Sequence, residues 1–383
     1  MKNTLISTID ADNFSDEELE PFAEMLKSGK TVAFPTETVY GLGANALDSK
    51  AVRAIFQAKG RPSDNPLIVH VASRKDVESL VEEMTPLAQK LADTFWPGPL
   101  TIIQKKKSDV PETVTAGLDT VAVRMPSHPV ALRLIALAGV PVAAPSANLS
   151  GKPSPTRGSH VIKDLNGRVD GIIDGGMAMV GLESTVVDAT GEDPVILRPG
   201  GITREQIMAA TELPEKRRPV EGQSRRALRD EKAPRSPGMK YTHYAPDAPV
   251  LVIRASRQEN MVDAIKNQAR HYCSEKDRVG ILCTEETLKK GWPLLWKDGN
   301  PRLERITSEG WRLILTGSLE KPETIANRLF DALRSFDDTD VTVILAEAIP
   351  EDALGQAIMN RLLKASKGEM AGIETDKNLS GRS

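Results

Sequence analysis

Lys59-Gly60-Arg61-Pro62-Ser63-Asp64-Asn65-Pro66-Leu67-Ile68-Val69-His70 carries the chain from a helical pattern into a strand. Upstream, Val52, Ile55 and Phe56 recur at helical spacing between Ser49 and Lys59. Downstream, Leu67 to Ala72 is an apolar, β-branched run that predicts a strand. Lys59 and Arg61 flank a glycine at the helix end, where Pro62 is expected to stop it. Cations there pair favourably with the negative helix terminus, which by itself accounts for them. His70 interrupts the apolar strand, so it needs a polar partner or a cavity.

Outward from this joint, strand and helix patterns continue. Thr31–Phe34, Leu100–Gln104, Val121–Met125, Val140–Ala144, Gly171–Asp174, Thr185–Asp188 and Val195–Arg198 read as strands, and Pro86–Phe95 and Pro129–Ala138 as helices. Strands outnumber what a simple βαβ alternation needs. The expected fold class is α/β, with a large, twisted, mixed open sheet. Beyond Pro246, strands Val250–Ile253, Val279–Cys283, Leu313–Leu315 and Val341–Leu345 alternate with helices Met261–Tyr272, Pro322–Ser335 and Leu354–Lys367. That alternation predicts a small Rossmann-like α/β domain with a parallel sheet. The expected division is a catalytic domain over 1–212, a linker or lid over 213–246, a small domain over 247–367 and a polar tail over 368–383. The linker holds Lys216, Arg217, Arg218, Arg225, Arg226, Arg229, Lys232 and Arg235 with few large apolar residues. It reads as a solvated tether or as a basic strip against RNA or ATP phosphates.

Composition narrows the function classes. The chain has 383 residues, 27% charged and 40% apolar, with a formal net charge of −3, so no global basic field advertises nucleic-acid binding. Cys273 and Cys283 form no Cys-x-x-Cys pair and read as reduced thiols. No signal-peptide core and no apolar run of membrane-spanning length is present, so a cytoplasmic protein is expected. There is no phosphate-loop G-x-x-x-x-G-K-[ST] motif and no G-x-S-x-G elbow, and the five histidines are scattered, so no protein-held metal is expected.

The chemistry-bearing residues cluster at element ends. Pro35-Thr36-Glu37-Thr38-Val39-Tyr40-Gly41-Leu42-Gly43 offers hydroxyls and two glycines after a strand. Gly41 to Ala46 also fits the glycine-rich dinucleotide pattern, but Pro35 to Tyr40 separate it from the strand, and Asp64 sits in a proline-rich loop instead of at a strand end. Arg124 ends one strand and Arg198 another, and Ser146-Ala147-Asn148 follows a third. Lys59, Arg61, Arg124 and Arg198, if they converge, suit a polyanion such as a triphosphate.

Six motifs in order make the reading specific: FPTETVYGLG (Phe34–Gly43), KGRPSDNPLIVH (Lys59–His70), VAVRMP (Val121–Pro126), APSANLSGKPSPT (Ala144–Thr156), ESTVVD (Glu183–Asp188) and ILRPGG (Ile196–Gly201). Together they resemble the YrdC-type L-threonylcarbamoyladenylate synthases. SPGMKYTHYAP (Ser236–Pro246) and ALGQAIMNRLLKAS (Ala353–Ser366) resemble the two-domain form. The resemblance implies a nucleotidyltransferase that joins L-threonine, bicarbonate and ATP into threonylcarbamoyl-AMP and pyrophosphate, in a deep cavity on the twisted sheet. A downstream threonylcarbamoyl transferase then modifies adenosine 37 of tRNAs reading ANN codons. Carried over by motif, Thr38, His70, Arg124, Ala144 and Ser184 would hold threonine. Arg61, Asn65, Thr120, Ser146, Ser154 and Arg198 would hold ATP. Asn148 would support the phosphate loop, Lys59 would neutralise developing pyrophosphate charge, and Tyr244 would close over ATP from the linker. Mg²⁺ would bridge the phosphates, and no membrane is involved.

Two other readings compete. One is an RNA-binding translation or ribosome-assembly factor using the basic linker, although four Trp, four Tyr and seven Phe leave few stacking platforms; a weak tRNA contact is expected of the synthase reading as well. The other is a hydrogenase-maturation carbamoyl transferase, which needs zinc-finger modules that two cysteines cannot build.

Overall fold

The structure, a computed structural model, describes residues 2–212, 234, 244–272, 278–296 and 304–371. Most of the expected linker, His243, Cys273 and residues 372–383 of the tail lie outside the described residues. The chain divides into two compact units, Met1–His243 and Tyr244–Ser383.

The first unit runs β1 (Leu5–Thr8), α1 (Asp16–Lys27), β2 (Val32–Phe34), β3 (Gly41–Asn45), α2 (Ser49–Lys59), β4 (Ile68–His70), α3 (Arg74–Val77), α4 (Pro86–Phe95) and β5 (Leu100–Lys105). It continues α5 (Glu112–Thr115), β6 (Thr120–Arg124), α6 (Pro129–Ala138), β7 (Val142–Ala143), α7 (Gly158–Leu165), β8 (Gly171–Asp174), β9 (Thr185–Asp188), β10 (Val195–Arg198) and α8 (Arg204–Thr211). Among the described residues these strands form one mixed ten-stranded sheet, β1-β8-β2-β3-β7-β4-β6-β5-β9-β10. Helices cover it on both faces. On one, α1 presents Leu19, Phe22, Ala23 and Leu26 to the core, and α6 presents Val130, Ala131, Leu134 and Ile135 to the same cluster. On the other, α2 buries Ala51, Val52, Ile55 and Phe56, and α4 buries Ala88, Leu91 and Ala92.

Local chemistry sets the element ends. Pro86 opens α4, and Thr85 Oγ1 accepts from Ala88 N at 3.1 Å, capping its N-terminus. α2 stops at Gly60 and not at Pro62 as expected. Gly60 has φ +63°, its N–H bonds Gln57 O and Arg61 N bonds Phe56 O, a Schellman closure that needs the left-handed region.

β3 is a strand that the sequence reading did not assign. A Cβ on Gly43 would lie 2.6 Å from Val142 Cγ1 and 2.7 Å from Phe34 Cε1, so the missing side chain lets the Phe34 ring and β7 close on the strand. β3 pairs antiparallel with both β2 and β7, and these ladders hold a run with little β propensity of its own.

The second unit contains β11 (Val250–Ile253), β12 (Val279–Cys283), β13 (Glu304–Ile306), β14 (Arg312–Leu315), β15 (Val343–Glu347) and β16 (Met370–Ala371), in the order β13-β14-β12-β15-β11-β16. All these pairings are parallel except β13 with β14. Helices Met261–His271, Glu285–Gly291, Pro322–Ser335 and Ala353–Ala365 connect the strands. β15 begins two residues later than expected and ends on Glu347, whose charge disguised a strand position in the sequence. Among the described residues no helix is long and apolar enough to cross a membrane.

Candidate active site

The centre of the first unit's sheet, β3-β7-β4-β6, gathers the expected residues. β4 and β6 run parallel with His70 in register with Arg124. Arg124 is 3% exposed, a charge that burial tolerates only with partners. Its NH1 donates to Thr38 Oγ1 at 2.9 Å, its Nε donates to Gly98 O at 3.3 Å, and its NH2 lies 2.7 Å from Glu37 Oε1. Thr36 shapes the turn before them. Its Oγ1 donates to Val39 O at 2.6 Å and accepts from Thr38 N at 3.2 Å. Burial first, and then the Arg124 charge, pull the His70 imidazole down to about 3, so it is neutral at ordinary pH.

A second cluster is built on Lys59, which the α2 terminus delivers into the interior at 2% exposure. Its ammonium donates to Ser146 O, to Asn148 O at 2.6 Å and to Asn148 Oδ1 at 3.3 Å. Ser146 Oγ donates to the same Oδ1 at 2.6 Å, and Asn148 Nδ2 donates to Leu149 O and Lys152 O. Lys59 therefore braces the Ser146–Asn148 loop. The β2–β3 segment ties that loop to the first cluster, since Ala147 N bonds Tyr40 O and Tyr40 N bonds Pro155 O. The Tyr40 hydroxyl donates to Gly176 O at 2.6 Å, and burial pushes its pKa up, so it stays a neutral strut.

A third cluster joins Ser184 and Arg198. Arg198 donates from NH2 to Ser184 O at 2.9 Å and to Ser184 Oγ at 3.1 Å, and Thr101 Oγ1 lies 2.7 Å from that same Oγ. Gly200 is required where the chain crosses this turn, because a Cβ there would lie 2.4 Å from Glu183 O and Thr185 N. Ser154 Oγ donates to buried Glu183 Oε1. Thr185 N bonds Pro99 O beside Gly98, which links this cluster to Arg124.

The remaining expected residues sit around these three clusters. Ala144 is buried in the β7 exit, with its N–H on Ile68 O. Asn65 is fully buried, and both its amide atoms lack a hydrogen-bond partner among the described residues. Arg61 NH2 donates to Pro66 O at 3.4 Å, and Thr120 begins β6 opposite Lys105. Tyr244 belongs to the second unit, where its ring stacks on Phe330 at 5.0 Å and lies 5.9 Å from the Arg361 guanidinium carbon.

Glu37, Thr101, His128 and Glu183 were missed from sequence. Glu37 stood inside the FPTETVYGLG motif, and only the burial of its partner Arg124 marks it out.

The comparisons with known proteins match along the whole chain. A Sua5/YciO/YrdC family model, described as telomere recombination, matches residues 24–200, and one described as the C-terminal domain of threonylcarbamoyl-AMP synthase matches 202–367. The threonylcarbamoyl-AMP synthase of Bacillus subtilis is 46% identical over 370 residues, 96% of this chain and 99% of that one. The chain belongs to the Sua5 family of threonylcarbamoyl-AMP synthases. The Pyrococcus abyssi synthase is 46% identical over 344 residues, 90% of this chain and 92% of that protein. The crystal structure of Pyrococcus abyssi Sua5 complexed with L-threonine superposes with a TM-score of 0.84 at 42% identity, covering 97% of this chain and all of that one. The expected α/β class, with a YrdC-like sheet and a second small α/β unit, is thus the architecture of this Sua5 family member.

Proposed function

We infer that this threonylcarbamoyl-AMP synthase works as a nucleotidyltransferase on L-threonine, bicarbonate and ATP, with pyrophosphate as leaving group. The observation carrying the reading is a buried guanidinium with free donor capacity, Arg124, in the same sheet centre as a lysine-braced loop, Ser146–Asn148. The first is suited to an amino-acid carboxylate and the second to phosphate oxygens.

Thr38, His70, Arg124, Ala144 and Ser184 form the proposed threonine seat. Arg61, Asn65, Thr120, Ser146, Asn148, Ser154 and Arg198 form the proposed ATP seat. Threonine's amine attacks bicarbonate-derived CO₂, losing a proton and giving a carbamate. A carbamate oxygen then attacks the α-phosphorus, the bond to the β-phosphate oxygen breaks, and pyrophosphate leaves. Neither step needs a covalent enzyme intermediate. The chain's contribution is positioning and charge stabilisation in a dry site. The Lys59 ammonium lends its charge through the loop that it holds, and the neutral His70 imidazole offers a hydrogen bond without adding charge.

Mg²⁺ fits this donor set as a passenger of the nucleotide. Among the described residues no group of three or more His, Cys, Asp or Glu side chains could hold a metal, so the phosphates would supply its ligands. Its role when bound is to neutralise phosphate charge. The product is an activated acyl phosphate, so a transferase must consume it, and tRNA adenosine 37 is the proposed final acceptor.

Pyrophosphate release measured with ATP and bicarbonate, with and without L-threonine, tests the reading. Release that depends on all three is expected. Release that ignores threonine would overturn it, and tight, salt-sensitive RNA binding without any release would favour an RNA-binding factor.

A further inference from the structure

Glu37 is 2% exposed, and among the described residues its carboxylate makes one ion pair, with Arg124 NH2 at 2.7 Å. Among the described residues Oε2 has no hydrogen-bond partner, while Oε1 meets the Arg124 nitrogen in that ion pair. His70 Nδ1 and His128 Nδ1 are also buried without one among the described residues. Each unmade hydrogen bond of this kind costs about 1–3 kcal/mol, so a group of them in one place points to a ligand that completes them.

The open atoms have a definite chemistry. A guanidinium carries five N–H donors. Gly98 O, Thr38 Oγ1 and Glu37 Oε1 face three different nitrogens of Arg124, leaving one N–H on each terminal nitrogen for a carboxylate fork. Glu37 Oε2 is an acceptor and needs a donor, best a cationic one. Carboxylate and ammonium side by side are the head of an α-amino acid zwitterion.

We propose that Glu37 is a specificity-determining residue that receives the α-ammonium of threonine while Arg124 holds its carboxylate. This rests on Arg124 being the carboxylate anchor. A substrate carboxylate docked on Arg124 sits close to the Glu37 carboxylate, and like charges sharing one buried cation repel. The ammonium relieves that repulsion. An acid of the same shape without the amine does not, so Glu37 rejects it as well as attracting threonine. Seating the ammonium here also holds the nitrogen that must become the nucleophile.

The test is calorimetric titration of the full chain with L-threonine and with 3-hydroxybutanoate, which is threonine without its amine. Glu37→Gln keeps the side chain's shape and removes its charge. It is expected to weaken threonine about tenfold or more, to leave the KM for ATP within about twofold, and to leave 3-hydroxybutanoate unchanged or tighter. Equal weakening of both ligands, or unchanged threonine affinity, would overturn the proposal. Arg124→Ala separates the underlying reading: it should weaken both ligands, and unchanged threonine binding there would remove the anchor whatever Glu37 does. Should Glu37→Gln not fold, the wild-type chain still decides. It must prefer threonine over 3-hydroxybutanoate by about a hundredfold, and equal binding would overturn the proposal.

Discussion

Two buried carboxylates end up in opposite situations. Glu347, 3% exposed at the end of β15, is surrounded by donors: Gln258 Nε2 at 2.7 Å, Thr284 N at 2.8 Å, Thr284 Oγ1 at 3.2 Å and Thr287 Oγ1 at 2.8 Å. Glu37 is buried as deeply, in the first unit, and among the described residues it has the Arg124 ion pair at Oε1 and no hydrogen-bond partner at Oε2. The second unit's arrangement is informative because of where it lies. From β12 the chain goes on to β13 and β14 on one side of the sheet, and from β15 it crosses to β16 on the other. The crevice between the carboxyl ends of β12 and β15 is thus a topological switch point, where open α/β sheets take ligands. Here Glu347 fills it and Thr284 and Thr287 close over the carboxylate. Burial pushes the Glu347 carboxyl up against the pull of these donors, and burial together with the Glu347 charge raises the Cys283 thiol. A saturated polar cluster is structure. An unsaturated one, as at Glu37, is a place for substrate.

The comparison can be broken at several strengths. The largest effect expected is on stability, from Arg124→Ala, which strands Glu37 as an unpaired buried charge. Urea unfolding should show a loss of about 3–5 kcal/mol, and a loss under 1 kcal/mol would mean that water reaches the pair. Next, Lys59→Ala or Arg61→Ala should lower ATP-dependent product formation by about 2–4 kcal/mol in transition-state terms, as for loss of one electrostatic stabiliser. Near-wild-type turnover would take that residue out of the site. Glu347→Ala comes third, with about 1–3 kcal/mol lost as three side chains and a backbone N–H lose their acceptor. An unchanged melting profile of the second unit would contradict its structural role.

The last effect is pH-dependent and belongs to His70. Its folded pKa, about 3, lies below the ordinary 6.5, so the unfolded chain takes up a proton that the native chain refuses. Native stability therefore falls as pH drops below about 6.5, by up to about 1.4 kcal/mol per pH unit, until the folded pKa is reached. His70→Gln should flatten the wild-type curve between pH 6 and pH 4, measured as the difference between the two proteins. Parallel curves would show that the imidazole is hydrated.

Much of the fold was legible because its elements carry their own signals. Pro86–Phe95 and Pro129–Ala138 each begin on a helix-initiating proline with apolar residues at helical spacing, and both helices have the expected bounds. Gly171–Asp174, Thr185–Asp188 and Val195–Arg198 are likewise the expected strands. β3 was not legible, since Gly41-Leu42-Gly43-Ala44-Asn45 becomes a strand only through the neighbours that pair with it. The motif residues could be named from sequence, but their wiring could not. Nothing in the Lys59–His70 stretch says that the Lys59 ammonium reaches the carbonyls of Ser146 and Asn148, and the Gly60 turn, not Pro62, ends the helix that carries it there. Glu37 was hidden for the same reason: its partner is 87 positions away, and only the folded sheet brings the two together.

A crystal structure of the chain grown with L-threonine would test most directly whether the unpaired buried atoms around Arg124 are the substrate's seat. The expected result is the threonine carboxylate on the open N–H groups of Arg124, with its ammonium within hydrogen-bond reach of Glu37 Oε2. Threonine bound elsewhere, with Glu37 Oε2 and the Arg124 donors still unpaired, would contradict it.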